Sequence, residues 1–420
     1  MALSLSEPIR DAGLTSGAML VIATVVGGGM FSLPIAMAGV WFPGATLILI
    51  AISLMMLMTG LMLVEVNLHF DVGASFNTFT LELLGKRWNF VVGLAFGFVL
   101  YILTYAYISG SSAVLSNTIA KYSGMRLPSP VSIILVSVIV SLIAWYSSLL
   151  VGRITTVLIF GKFIAFFATF SGMIGTINVD NLFDTASVAL PQTRYLPYVL
   201  MTLPFCIISF GFHGNVPSLV KLYGKENIHH IKNSIIVGTL FALILYIFWL
   251  AVTMGNISRA DFSPIIAKGG NIDVFVEAIG GIFTSRYMEL ILTFFGNFAV
   301  ASSLLAATLG LFDYIADLFH FANNGIGRCK TAIVTYLPPA AVCLFFPNGF
   351  VHAIGYAGLA FTIWSVILPP FLVKSARQRF ATAAYRAPCN NAVLNTVIIC
   401  GGIVYLTVIL EVFGLLPVFH

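Results

Sequence analysis

What this sequence has least of is charge: Asp, Glu, Lys and Arg make up 8% of its 420 residues, while 59% are hydrophobic. Soluble domains carry roughly a quarter charged residues, so a soluble globular fold is excluded and the chain reads as an all-α polytopic membrane protein. Cysteine is sparse too. Cys206, Cys329, Cys343, Cys389 and Cys400 form no C-x-x-C pair, which argues against both a metal site and a disulfide framework. No nucleophile stands beside a base and no His/Glu metal spacing occurs. The glycines at 27–29 follow no strand, so they make no dinucleotide fingerprint. These absences leave no catalytic set: an enzyme, a metal and a cofactor are not expected. The net charge of +5 lies in short loops between apolar runs, a signal of membrane topology rather than of a nucleic-acid partner.

What is there is a series of apolar runs about 20 residues long, the length that a hydrocarbon core of about 30 Å demands of a helix. Eleven are read, at about 13–38, 42–66, 89–118, 130–150, 153–178, 196–221, 232–255, 287–318, 328–347, 350–373 and 392–416. No long polar segment interrupts them, so the chain is one membrane domain. Arg10 ahead of an apolar stretch and the triplet Ala36-Met37-Ala38 imitate a secretory leader, but the run 13–38 is too long for one and is taken as the first span. With the N-terminus inside, thirteen Lys and Arg fall on inner segments and six on outer ones, with Lys162 inside a span. That bias predicts a cytoplasmic N-terminus and an outer C-terminus. Asn256 to Tyr287 is then an outer connection, and its GGNIDVFVEAI predicts a short reentrant or surface helix over an outer vestibule.

Two spans carry helix breakers. VVGGGMFSLP holds Gly28 six residues before Pro34, and SFGFHGNVPSL holds Gly211 six residues before Pro217. Spans one and six are five helices apart, so they enter the membrane from opposite sides. Paired interruptions at corresponding positions mark a transporter's binding site between inverted repeats. The repeats would be 13–178 and 196–373, with 392–416 as an added helix. Unwinding frees backbone groups that cost several kcal/mol each, by order of magnitude, unless something satisfies them. Amides at Gly27, Gly28, Gly29 and Met30 can meet a carboxylate, and carbonyls near Val25, Val26, Phe210 and Gly211 an ammonium group. A zwitterion such as an α-amino acid fits both. The competing reading is close helix packing by small residues.

Aromatic side chains surround these breaks: Phe205, Phe210, Phe212 and His213 in span six, Tyr101, Tyr105 and Ser109 on one face of span three, and Trp364 in span ten. They suit an indole or phenol ring held by offset stacking, although 36 phenylalanines supply aromatic neighbours everywhere. His213 either bonds freed backbone or titrates during transport. Lys162 follows Arg153 by nine residues, about 13 Å into its span. It reads as a proton carrier, or else as a permanent tether to carbonyls of span one. Ser302 and Ser303 offer hydroxyls for sodium, with interhelical glue as the alternative. Glu65, Arg153, Asp313 and Asp317 lie at inner span ends and can form an ionic gate or remain interfacial charges.

The segments GGGMFSLP, GLMLVEVNL, YILTYAYIS, LPFCIISFGFHGNVPSL, TMGNI, GGNID, NFAVASS, TLGLFDYIADLF, FPNGF and IGYAGLA resemble the hydroxy and aromatic amino acid permease family of the amino acid-polyamine-organocation superfamily. Within the family they are most similar to its bacterial tryptophan-specific members. The resemblance implies an eleven-helix, LeuT-type 5+5 inverted repeat in the bacterial inner membrane, importing an aromatic amino acid, tryptophan first, with protons. Gly27 to Gly29 and Phe210 to Gly214 match its unwound segments, and Lys162 matches its span-five lysine. The stretch YRAPCNN departs from the family pattern. A single chain is expected to suffice for transport, with the lipid bilayer and the amino acid as its partners. Sodium coupling, a tyrosine or phenylalanine preference, and a non-transporting amino acid sensor are the alternatives; a sensor would call for longer inner segments than this chain has.

Overall fold

The computed structural model describes residues 13–185, 195–281, 286–417 and 419. Arg10 and Arg194, counted above for orientation, fall outside them.

Every apolar run becomes helix, since a backbone in lipid must satisfy its own hydrogen bonds. The first span is two pieces, α1 (Leu14–Val25) and α2 (Ser32–Ala36), joined by a 3-10 turn at Gly28–Phe31 and bent by 53°. Then come α3 (Trp41–Asn67), the short α4 (Phe76–Leu84), α5 (Lys86–Ser123), α6 (Ser129–Tyr146), α7 (Ser148–Met173) and α8 (Val179–Phe183). The sixth span is again divided, into α9 (Val199–Ser209) and α10 (Val216–Tyr223). After it run α11 (Ile228–Asn256), α12 (Arg259–Ala267), α13 (Ile272–Gly280), α14 (Arg286–Leu318), α15 (Gly325–Phe345), α16 (Phe350–Thr362), a π-helical turn at Ile363–Ile367, α17 (Leu368–Arg379) and α18 (Asn391–Val412). The surface helix expected in GGNIDVFVEAI is α13, lying on α5 and α14.

Among the described residues eight helices are long and apolar enough to cross a membrane, or nine with the bent first pair counted as one. Of the eleven expected spans, α15 and α18 fall short of that measure. The first carries Arg328, Lys330 and two internal prolines, and of the second only Asn391–Thr407 enters the measure, although the helix itself runs to Val412.

α7 and α14 pack along their lengths, α1 lies on α11, and α5 contacts α6, α14, α15 and α16. With little hydrophobic drive between helices in lipid, close approach depends on small residues. At Gly60 a Cβ would lie 2.6 Å from the Phe212 ring, and at Gly238 a Cβ would lie 2.5 Å from Val21. These glycines seat the second break against α3 and α1 against α11.

Candidate functional site

α1 stops where the glycines begin, with Gly27 extended ahead of the 3-10 turn. The turn makes bonds of its own, from the Gly27 amide to Val25 at 2.8 Å, the Met30 amide to Gly27 at 3.2 Å and the Ser32 hydroxyl to Gly29 at 2.6 Å, and three carbonyls around it are met by buried donors from other helices. Lys162 of α7, 2% exposed, donates to the Val26 carbonyl. Trp249 of α11 donates Nε1–H to the Met30 carbonyl at 2.9 Å. The Tyr246 hydroxyl, also on α11, stands 2.7 Å from the Val25 carbonyl and 2.8 Å from the Ser209 carbonyl at the end of α9. A hydroxyl has one proton to donate, so Tyr246 serves one of the two breaks at a time.

The second break closes mostly on itself. Gly211 N–H reaches the Ile208 carbonyl at 3.1 Å, and Asn215 N–H reaches Phe212 at 2.8 Å. Its side chains reach outward: His213 Nε2 pairs with Thr59 Oγ1 of α3 at 2.8 Å, and Asn215 donates to Thr24 Oγ1 of α1 at 2.6 Å.

Between the breaks lies a cavity of about 450 Å³, walled also by α5, α7, α14, α16 and the π-helical turn. Sites for small molecules span about 300–1,000 Å³. At the breaks it is lined by Gly27, Gly29, Ser209 and Gly211; Lys162, Ser302 and Ser303 face it from α7 and α14. The Tyr107 hydroxyl joins the Ser303 side chain and the Gly29 backbone. From Tyr107 the lining follows α5 back through Leu103 and Leu100 to Phe96, about 16 Å at 1.5 Å per residue. Phe361 and Trp364 complete that apolar end. On its other side the cavity is closed by packed rings, with Phe31 tilted against Phe295 at 5.2 Å and Trp249 edge-to-face with Phe170 at 4.7 Å. Beyond these, Arg259 donates to the Gly39 carbonyl at 2.8 Å, approaches Asp184 at 3.4 Å, and lies over the Tyr195 and Phe419 rings.

Several residues expected at the site stand elsewhere. Tyr101 and Tyr105 face α15, their hydroxyls donating to the Val334 and Phe346 carbonyls at 2.9 and 2.8 Å. Tyr107, two residues on, takes the place expected for them. Phe210 packs on Tyr246, and Phe212 stacks on His213. All three of Phe210, Phe212 and His213 are fully buried behind the break, outside the cavity lining. Val26 and Met30 contribute through their carbonyls, as above, while the backbone of Gly28 opens the 3-10 turn. Ser302 donates to Ala299 within its own helix at 3.1 Å.

The ionic gate of Glu65, Arg153 and Asp313 is not assembled. Glu65, wholly buried, accepts from Arg377 Nε at 2.7 Å and Nη2 at 2.8 Å, and from the Ala387 amide at 2.7 Å. Arg153 and Asp313 are exposed. Charges at span ends announce that they need partners, not which ones. That side of the cavity carries rings instead: Trp364 lies 5.4 Å from Phe76 of α4 and 5.5 Å from Phe96.

Two interrupted helices enclosing a small-molecule cavity inside an apolar bundle define a membrane transport protein. The chain belongs to the tryptophan/tyrosine permease family, whose model matches residues 10–408. It is 76% identical over 407 residues to a tyrosine permease of Enterobacter agglomerans, covering 97% of this chain and 98% of that one. It is 47% identical to a tryptophan-specific transport protein of Shigella flexneri, covering 97% of each. With a low affinity tryptophan permease of Escherichia coli K12 it shares 45% identity, covering 96% of this chain and 97% of that one. These relatives are permeases and transport proteins, and the chain is not an enzyme. Among solved structures it resembles a nucleobase-cation-symport-1 family transporter in a closed conformation with bromovinylhydantoin bound, at a TM-score of 0.57 and 16% identity, covering 98% and 95% of the two chains. That likeness speaks for the fold alone.

Proposed function

We propose that this permease imports an aromatic amino acid across the bacterial inner membrane by proton symport with alternating access, on a LeuT-type 5+5 repeat with its N-terminus in the cytoplasm. The observation that carries this reading is the meeting of both helix breaks, a buried lysine and an aromatic-walled cavity in one place. The substrate carboxylate would meet the amides of Gly28 and Gly29 with the Ser209 and Tyr107 hydroxyls. Its ammonium would take whichever carbonyl, Val25 or Ser209, Tyr246 leaves free. Tyrosine is the first candidate, because a relative bearing that name shares 76% of its residues. Tryptophan, the expectation from sequence, is the second reading, favoured by relatives of that name at 43–47% identity.

Lys162 would carry the proton. As an ammonium it ties α7 to the first break; when neutral it loosens that tie and lets the helices rearrange. A sodium ion beside Ser302 and Ser303 would sit near this like charge, which favours the proton as coupling ion. The test is uptake of labelled tyrosine and tryptophan into proteoliposomes under an inward proton gradient without sodium. Accumulation abolished by an uncoupler supports the reading. A strict need for sodium would replace the proton, and binding without uptake would favour a sensor.

A further inference from the structure

Two residues that line the cavity each carry a buried polar side-chain atom with no hydrogen-bond partner among the described residues: Ser209 Oγ and Trp364 Nε1. They belong to different parts of it. Ser209 lies at the breaks, its Oγ 3.9 Å from where a Cβ on Gly29 would stand. Trp364 belongs to the apolar end, one ring further on. Phe361 lies 3.2 Å from a Cβ placed on Gly211, and its centroid is 4.5 Å from Trp364. Trp364 is 5% exposed and its ring edges meet Phe76, Phe96 and Phe361, none of which can accept a hydrogen bond in the plane of the indole. A buried donor left unmade is unfavourable, and indole N–H groups in interiors ordinarily find an acceptor. The backbone around Trp364 is itself unusual, since the residue lies in a π-helical turn, a feature that concentrates at functional sites.

We infer that the Trp364 indole N–H is the donor that receives the phenolic oxygen of a tyrosine substrate, making Trp364 a specificity-determining residue of this permease. With the zwitterion at the glycines, the substrate ring would lie along Leu103, Leu100 and Phe361 with its para position toward Trp364. A phenol oxygen has lone pairs to accept the bond, a phenylalanine ring has none, and an indole N–H can only donate. The same atom would therefore prefer tyrosine over both competitors. Sites built to bond a substrate hydroxyl discriminate strongly against analogues that lack it, because the site's buried group is then left unpaired. The inference rests on the aromatic amino acid transport proposed above.

The experiment is inhibition of labelled tyrosine uptake by unlabelled tyrosine, phenylalanine and tryptophan, with the full chain in proteoliposomes. Wild type should show at least about tenfold weaker inhibition by phenylalanine than by tyrosine. Trp364→Phe should weaken tyrosine about tenfold and leave phenylalanine within about twofold, bringing the ratio near one. Ser209→Ala, at the zwitterion end, should weaken both together and keep the ratio. Equal inhibition by tyrosine and phenylalanine in wild type would overturn the inference without any variant. So would a Trp364→Phe protein that keeps the wild-type ratio. Absence of uptake of every aromatic amino acid by wild type would instead sink the transport reading, a result distinct from unselective uptake.

Discussion

The two breaks look alike in sequence and are supported in different ways. The first adds to its own Gly27 and Met30 amide bonds a set of donors from other helices: Lys162, Tyr246 and Trp249 answer its carbonyls from α7 and α11. The second turns on its own amides and sends His213 and Asn215 out to α3 and α1. A break held from outside changes when its supports move or change charge, whereas a self-closed break moves as a unit. The difference makes the first break the more dependent of the two on its neighbours.

The largest effect expected from this contrast is in Lys162→Met. It should abolish pH-driven accumulation while the protein remains folded and inserted; retained uphill uptake would remove Lys162 from coupling. Next comes Gly211→Ala, whose added carbon would lie 2.8 Å from the Ile208 carbonyl and 3.2 Å from Phe361. Folded yield should fall sharply. Gly29→Ala, inside the conspicuous triple glycine, meets nothing nearer than Ser209 Oγ at 3.9 Å and should fold like wild type. Equal yields of the two variants would erase the distinction between the breaks. Tyr246→Phe leaves two buried carbonyls without their shared donor, a loss of about 1–3 kcal/mol that should lower the melting temperature in detergent. The smallest effect is expected for Asn215→Ala, which unties the start of α10 from α1 by removing its hydrogen bonds to Thr24 Oγ1 and the Leu20 carbonyl, about 1 kcal/mol each. It should raise the reactivity of a cysteine placed at Leu20 about fivefold, and an unchanged rate would show that the tie does not restrain α1.

Both breaks were legible in the sequence because glycine and proline act on the backbone they belong to. Lys162 was legible from depth alone, since an ammonium near the middle of a span needs a partner wherever the other helices lie. The tyrosines were misplaced for a physical reason. Tyr101 and Tyr105 do share a face, but α5 is buried on several faces, and spacing within one helix does not say which neighbour a face meets. Phe96, Leu100, Leu103 and Tyr107 repeat at intervals of four, three and four, an equally good stripe and the one that lines the cavity. Glu65 and Arg377 lie 312 positions apart, and nothing local links them.

That pair has a consequence for how the protein is made. Glu65 has no exposed side-chain surface in the finished fold, yet its bidentate partner and the Ala387 amide belong to the far end of the chain. At about 5–20 residues per second of synthesis, the carboxylate of α3 must wait tens of seconds for Arg377 to emerge. Until then it has to stay at the water interface. The end of the second span is therefore settled late, and ribosome-bound chains stopped before residue 377 should leave Glu65 open to aqueous reagents that the complete protein excludes.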